Sequence, residues 1–218
     1  MLLSTQSRIE SLLTTIDQLG MVTIRQLRQK HDLKSYRNAC RVVKQLEPYV
    51  HTTFFNKEKV LYLNKNGVDL IGSTRDIKRN PAFIKHSLLV NEVYFHFNCP
   101  LDWKREHIFE LESIKQGIIF SGLNLTYKKV IADAKFERNG YMHLIEIDNA
   151  RKMIENHKKI DSYVEVMKQI NHTIPVLYVF TISKDRKRKF ESWIKQNNLR
   201  AHVHTFDEIN KSHKFNSK

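Results

Sequence analysis

Cysteine is scarce in this 218-residue chain: Cys40 and Cys99 supply neither a disulfide framework nor a zinc ligand set. Six glycines leave no glycine-rich phosphate loop, which argues against an ATPase, and no Ser or Cys nucleophile constellation is recognisable. No apolar run approaches the ~20 residues of a membrane-spanning helix. The opening MLLSTQSRIE also reaches a charge too early for a signal peptide, so a cytoplasmic protein without a membrane partner is expected. Acidic residues are the scarcer charge, 23 against 37 Lys and Arg, for a formal net charge of +14. Residues 1–80 carry 14 basic and 7 acidic side chains, and the remainder 23 and 16. That surplus favours a polyanionic partner without naming one. What is abundant is core material: 41 % hydrophobic residues, enough for one large domain or two small ones.

Ile9, Leu12, Leu13, Ile16 and Leu19 recur at helical spacing as far as Gly20, a helix terminator. Thr23 and Gln26 have capping-box spacing at the head of IRQLRQKH. In KSYRNACRVVKQLEPY, Ser35 is placed to cap a third helix, with Ala39, Val42, Val43 and Leu46 as its apolar stripe and Pro48 near its end. The opposite face carries Arg37, Asn38, Arg41, Lys44 and Gln45. HTTFF and VLYL, joined by NKEK, make a hairpin with lysines at its tip, and NKNGVDLIG reads as a short closing helix. Three helices and a basic hairpin resemble a winged helix-turn-helix, whose third helix enters the major groove while the wing touches the backbone. On that reading Ser35, Tyr36, Arg37, Asn38, Arg41 and Lys44 meet double-stranded DNA from the helix, and Lys57 and Lys59 from the wing. Arg suits guanine, Asn adenine and Lys the phosphates. The competing reading is a solvated polar face, or a domain that mediates protein contacts.

STRDIKRN is polar and charged, and Asn80 with Pro81 fits an N-cap and first helical position. The expected domains are therefore a winged helix over 1–75, an α/β domain over 80–207 and a disordered tail over 208–218. PAFIKHSLLVNEVYFHF is apolar on more than one side, the pattern of a helix buried between layers. WKREHIFEL and GIIF read as strands. Beyond residue 150 come a helix across ARKMIENHKKIDSYVEVMKQI, a strand PVLYVF, a helix in DRKRKFESWIKQNN and a strand AHVHTF. That alternation fits an α/β sheet with a right-handed crossover.

Between them lies VIADAKFERNGYMHLIEIDN. If Asn139 and Gly140 form a tight type I′ turn, Arg138 pairs with Tyr141 and, counting back, Asp133 lies opposite Glu146. Alternation then puts Ala132, Ala134, Phe136, Ile145 and Ile147 on a core face, and Asp133, Lys135, Glu146 and Asp148 on the other. Opposed like charges repel, so the carboxylates need water, a basic neighbour or a cation. A hard divalent ion such as Mg²⁺ or Mn²⁺, serving metal-assisted phosphodiester hydrolysis, is one answer. A solvated face with Lys135 as the neutralising charge is the other.

IAD, a hairpin and IEID, then a helix and a strand, resemble the core of PD-(D/E)XK nucleases, whose elements run αβββαβ. The resemblance implies metal binding by Asp133 and Glu146. Asp148 stands where those nucleases carry a lysine, leaving Lys135, Lys158 or Lys159 to supply one. The whole order, a winged helix, a buried helix, WKRE, AD with EID and then KKIDSY, is similar to the replication-relaxation family of plasmid and mobile-element proteins. Its acidic hairpin precedes a Lys-Ile and a Tyr, here Lys159, Ile160 and Tyr163, with Glu106 a further acidic member.

That resemblance implies a bacterial DNA-binding protein of replication, relaxation or mobilisation and leaves two functions open. One is a metal-dependent endonuclease, with Asp133, Glu146 and Asp148 on the ion and Lys159 or Lys135 positioning water or scissile phosphate. The other is a non-catalytic regulator or adaptor, whose second domain forms a homodimer or recruits replication or mobilisation proteins. His202 and His204 alternate in a strand without a third ligand nearby, and RKRK at 186–189 reads equally as phosphate-contacting or solvated.

Overall fold

The computed structural model describes residues 5–74, 80–114, 125–149 and 151–209 of a mixed α/β protein. It forms two compact units, Met1–Cys99 and Pro100–Lys218. The GIIF run and nearly all of the C-terminal tail lie outside the described residues, and no helix among those described is long and apolar enough to cross a membrane.

In the first unit, α1 (Thr5–Leu19) buries Leu12, Leu13, Ile16 and Leu19, and the chain leaves it through Gly20 at φ 74°. A two-residue strand, β1 (Val22–Thr23), leads into α2 (Ile24–Lys30), whose capping box joins Thr23 and Gln26 in both directions. Ser35 caps α3 (Tyr36–Lys44) by accepting from the Asn38 amide, and Ala39, Val42 and Val43 are its buried stripe. The strands β2 (Val50–Phe55) and β3 (Glu58–Leu63) meet across Asn56 and Lys57, both in the left-handed region that a tight hairpin turn demands. With β1 they make an antiparallel sheet of order β1-β3-β2. In α4 (Lys65–Ile71), Gly67 is required sterically, because a Cβ there would lie 2.2 Å from the Tyr49 carbonyl oxygen.

Asn80 and Pro81 open α5 (Pro81–His96) as the sequence implies. Composition alone assigns this helix to the second domain, but the compact units divide after Cys99 and α5 packs within the first. Its polar residues explain why. Asn91 donates to the Met21 carbonyl at 2.5 Å, Glu92 accepts from Gln26 at 2.7 Å and pairs with Arg25 at 2.6 Å, and Ile84 and Leu88 pack on Met21, Val60 and Tyr62.

The second unit is one five-stranded sheet of order β4-β5-β6-β7-β8: β4 (Lys104–Ile114), β5 (Leu125–Arg138), β6 (Tyr141–Asp148), β7 (Ile174–Thr181) and β8 (Ala201–Thr205). The first three strands are antiparallel; β6, β7 and β8 run parallel through α6 (Met153–Gln169) and α7 (Lys184–Gln196). Asn139 and Gly140 have φ of 53° and 78°, and the register runs from Arg138↔Tyr141 to Ala134↔Ile145, as the turn chemistry requires.

The ladder stops there. Asp133 instead accepts from the Ile147 amide at 2.6 Å through its side chain. On the other side of β5, the pairing passes from Arg105↔Ala134 to His107↔Ala132, and the skipped Glu106 has φ 51°. This local break overturns strict alternation. Ala132 joins Met142, Leu144, Ile160 and Tyr163 in the cluster beneath α6 and α7, rather than the face of Phe136. Phe136 stacks on His143 at 4.4 Å and on Trp103 at 5.8 Å. Nor is the acidic face a bare polar surface, since Met142 and Leu144 precede Glu146 and Asp148 on it, and all four are buried.

Candidate functional site

Glu146 sits near the end of β6, where α6 delivers polar groups one helical turn apart. Lys159 and Tyr163, spaced i and i+4, share one face of that helix. Lys159 Nζ lies 2.6 Å from Oε1 and 2.5 Å from Oε2, the Tyr163 hydroxyl donates to Oε2 at 3.0 Å, and Arg151 donates to Oε1 at 3.1 Å. Ile160, between them, is core. Burial first, and the Asp133 carboxylate second, push the Glu146 carboxyl up to about 7 against the pull of Lys159 and Arg151. Burial and the same carboxylates hold the Tyr163 phenol well above its usual range.

Two residues on, Asp148 is held separately. Arg186 at the start of α7 grips it bidentately, Nε to Oδ2 at 2.5 Å and a terminal nitrogen to Oδ1 at 2.6 Å, and also donates to the Arg151 carbonyl at 2.6 Å. Thr181 donates to Oδ2 at 2.8 Å and Asn156 to Oδ1 at 3.0 Å. The hydrogen bond to Asp148 raises the Arg186 pKa further.

A divalent ion needs carboxylate oxygens aimed at a shared point. Both oxygens of Glu146 and both of Asp148 already accept from side-chain donors, and one Asp133 oxygen accepts a backbone amide. Glu146 pairs with both Lys159 and Arg151, and Asp148 with Arg186. Among the described residues no group of three or more His, Cys, Asp or Glu is arranged to hold a metal. The arrangement does not fit a hard divalent ion; it is a charge-balanced buried network with Arg151, the most exposed of the three cations, at its rim.

Of the lysines the sequence offers, Lys159 reaches the carboxylates. Lys158 is exposed, and Lys135 pairs with Glu137 at 3.5 Å while lining a separate cavity of about 310 Å³ with His107, Phe109 and Met142. Glu106, at the skipped position beside Asp133, is exposed. No local pattern marks Arg151, Asn156 or Thr181 in the sequence, and Arg186 stands out there only as the first residue of the RKRK run.

The first unit has the opposite character. Along α3, Tyr36, Arg37, Arg41 and Lys44 are exposed, Tyr36 by 53 %, and the helix has no acidic residue. Asn38 is committed: its Nδ2 donates to the Leu33 carbonyl at 3.0 Å and its Oδ1 accepts from Arg41 at 2.9 Å. The Ser35 hydroxyl is the helix cap. On the hairpin, Lys57 occupies the turn and Lys59 faces Phe54 across the strands. Arg25 Nε lies 3.3 Å from Glu58, the one acidic residue there, while its terminal nitrogens hold Glu92.

No curated protein matches the chain. The crystal structure of protein VC1899 from Vibrio cholerae is similar at 12 % identity and a TM-score of 0.42, over 94 % of this chain and 49 % of that one. The present chain thus spans about half the length of that protein, and likeness at this level carries no argument. The replication-relaxation family model matches residues 13–177, well over half of the sequence and including both the α3 face and the Lys159–Tyr163 pair, so the chain belongs to the replication-relaxation family.

Proposed function

We propose that the protein is a DNA-binding protein acting in replication or relaxation of a bacterial plasmid or mobile element, with its first unit working as a winged helix-turn-helix. The observation that carries this is the α3 surface: Tyr36, Arg37, Arg41 and Lys44 presented to solvent, opposite a fully apolar stripe, on a helix with no acidic side chain. A helix of that charge enters a major groove, and a lysine-tipped hairpin follows the adjacent backbone. Family membership supports the replication or relaxation role. Fluorescence anisotropy with labelled duplexes across a salt series tests it. Affinity falls steeply with salt, and Arg37→Ala with Arg41→Ala lowers the slope by about two and the affinity by about ten- to a hundredfold. Salt-insensitive binding, or a double variant that binds like wild type, removes the assignment.

For the second unit the reading is a PD-(D/E)XK-like sheet that serves as a scaffold or adaptor rather than a nuclease. The Glu146 and Asp148 oxygens, saturated by Lys159, Arg151, Tyr163, Arg186, Asn156 and Thr181, favour it over the metal-dependent endonuclease. Supercoiled plasmid incubated with the protein and Mg²⁺ or Mn²⁺ stays supercoiled. Nicking that Asp133→Ala abolishes would restore the catalytic reading.

A further inference from the structure

Two adjacent phenylalanines on β2 have opposite fates. Phe55 turns to the face of Val60 and Tyr62 and packs beside Met21, Ile84 and Leu88. Phe54, its neighbour, is therefore held on the other face of the hairpin, and it is 70 % exposed. Strand alternation leaves no alternative: turning Phe54 inward would expel Phe55 from its cluster. The finger that carries Phe54 is short, and its tight two-residue turn fixes it. Lys59 stands directly across from Phe54, Lys57 is in the turn, and Glu58 is drawn to Arg25.

The chemistry is that of an aromatic plate flanked by cations, with the nearby acid, Glu58, across from Phe55 on the opposite face of the hairpin. We propose that Phe54 is a wedge that enters between base pairs of duplex DNA from the minor groove, while Lys57 and Lys59 hold the phosphates on either side. A phenyl ring removed from water onto a base face gains both apolar burial and stacking, which offsets part of the cost of unstacking the step and kinking the helix. Duplex DNA is favoured over a protein partner because the ring's neighbours are lysines, whereas protein interface cores are depleted in lysine. A flexible pyrimidine–purine step is the preferred point of entry.

The inference rests on the DNA-binding reading, and one experiment separates the two. The probe is a duplex of about 20 base pairs with a fluorescent base analogue at a central TA step and a dye pair at its ends. Wild-type protein raises the analogue's fluorescence and shortens the end-to-end distance. Phe54→Ala loses both signals and binds about three- to tenfold more weakly, with an unchanged salt slope because the lysines remain. Phe54→Leu keeps the apolar bulk, so its partial signal shows that the Ala effect is not a folding failure. Wild-type binding without a fluorescence rise, or a Phe54→Ala protein that matches wild type, overturns the wedge alone. Absence of binding to any duplex overturns it together with the DNA-binding reading.

Discussion

The two units handle charge in opposite ways. On α3 the cations stand in water with no carboxylate on their own helix, so their field reaches outward. At the end of β6 the cations are consumed within the fold: Lys159, Arg151 and Arg186 each meet a buried carboxylate, and little field escapes. A basic chain is therefore not uniformly a nucleic-acid surface. Where a cation points, and whether an acid has already claimed it, decides which part of the +14 is available to a polyanion.

The largest effect that could break this contrast is at Arg186. Asp148 is almost wholly buried, with 1 % side-chain exposure, and the Arg186 fork supplies two of its four side-chain hydrogen bonds. Arg186→Ala leaves that charge without its cation and costs about 3–5 kcal/mol. Trp103 and Trp193 are the only tryptophans and both belong to the second unit, so urea unfolding followed by tryptophan fluorescence reports that unit selectively. A loss below about 1 kcal/mol would mean that Asp148 is not dependent on the internal network, and the contrast with α3 would weaken.

Glu146 gives a smaller effect with a definite sign. Its carboxyl is raised from the usual 4.5 to about 7 in the folded protein, so between those values the native state binds more proton than the unfolded chain. Stability contributed by this group is fully present below about pH 4.5 and is lost as pH rises through about 7. The expected slope is on the order of 1 kcal/mol per pH unit within that window, and Glu146→Gln flattens it. A wild-type profile with no fall between those values, or a slope that survives the substitution, would show that Lys159 and Arg151 hold Glu146 ionised throughout.

Much of the fold is legible locally. Gly20, the Thr23–Gln26 box, the Ser35 cap, the Asn80–Pro81 start and the Asn139–Gly140 turn all encode their geometry within four residues. The site was half legible. Lys159 and Tyr163 follow from the family motif, yet their partner Glu146 gathers a third donor, and Asp148 gathers three, from chain segments up to 38 residues away. The Ala132 face was illegible for another reason: alternation assumes an unbroken ladder, and the Asp133 side chain replaces one rung. In α5, hydrophobicity located the helix, but Asn91 and Glu92 chose its neighbours.

Asn38 provides the finest discrimination, because its amide is the one α3 group assigned by sequence to reading a base and by structure to an internal brace. Its Nδ2 holds the Leu33 carbonyl and its Oδ1 steadies Arg41, so both ends of the amide are engaged within the unit. Asn38→Ala therefore costs about 1 kcal/mol of stability in the first unit and loosens Arg41. Asn38→Asp keeps the acceptor for Arg41, loses the donor to Leu33 and adds a negative charge to the α3 face. A brace predicts that both variants bind a panel of single-base-substituted duplexes with the wild-type order of preference, Ala slightly weakened and Asp weakened further but equally on every duplex. An adenine reader predicts that both lose about 1–3 kcal/mol of discrimination at one position and nowhere else. That outcome would require Asn38 to exchange its internal bonds for a base edge on binding, and would make the turn before α3 part of the recognition surface.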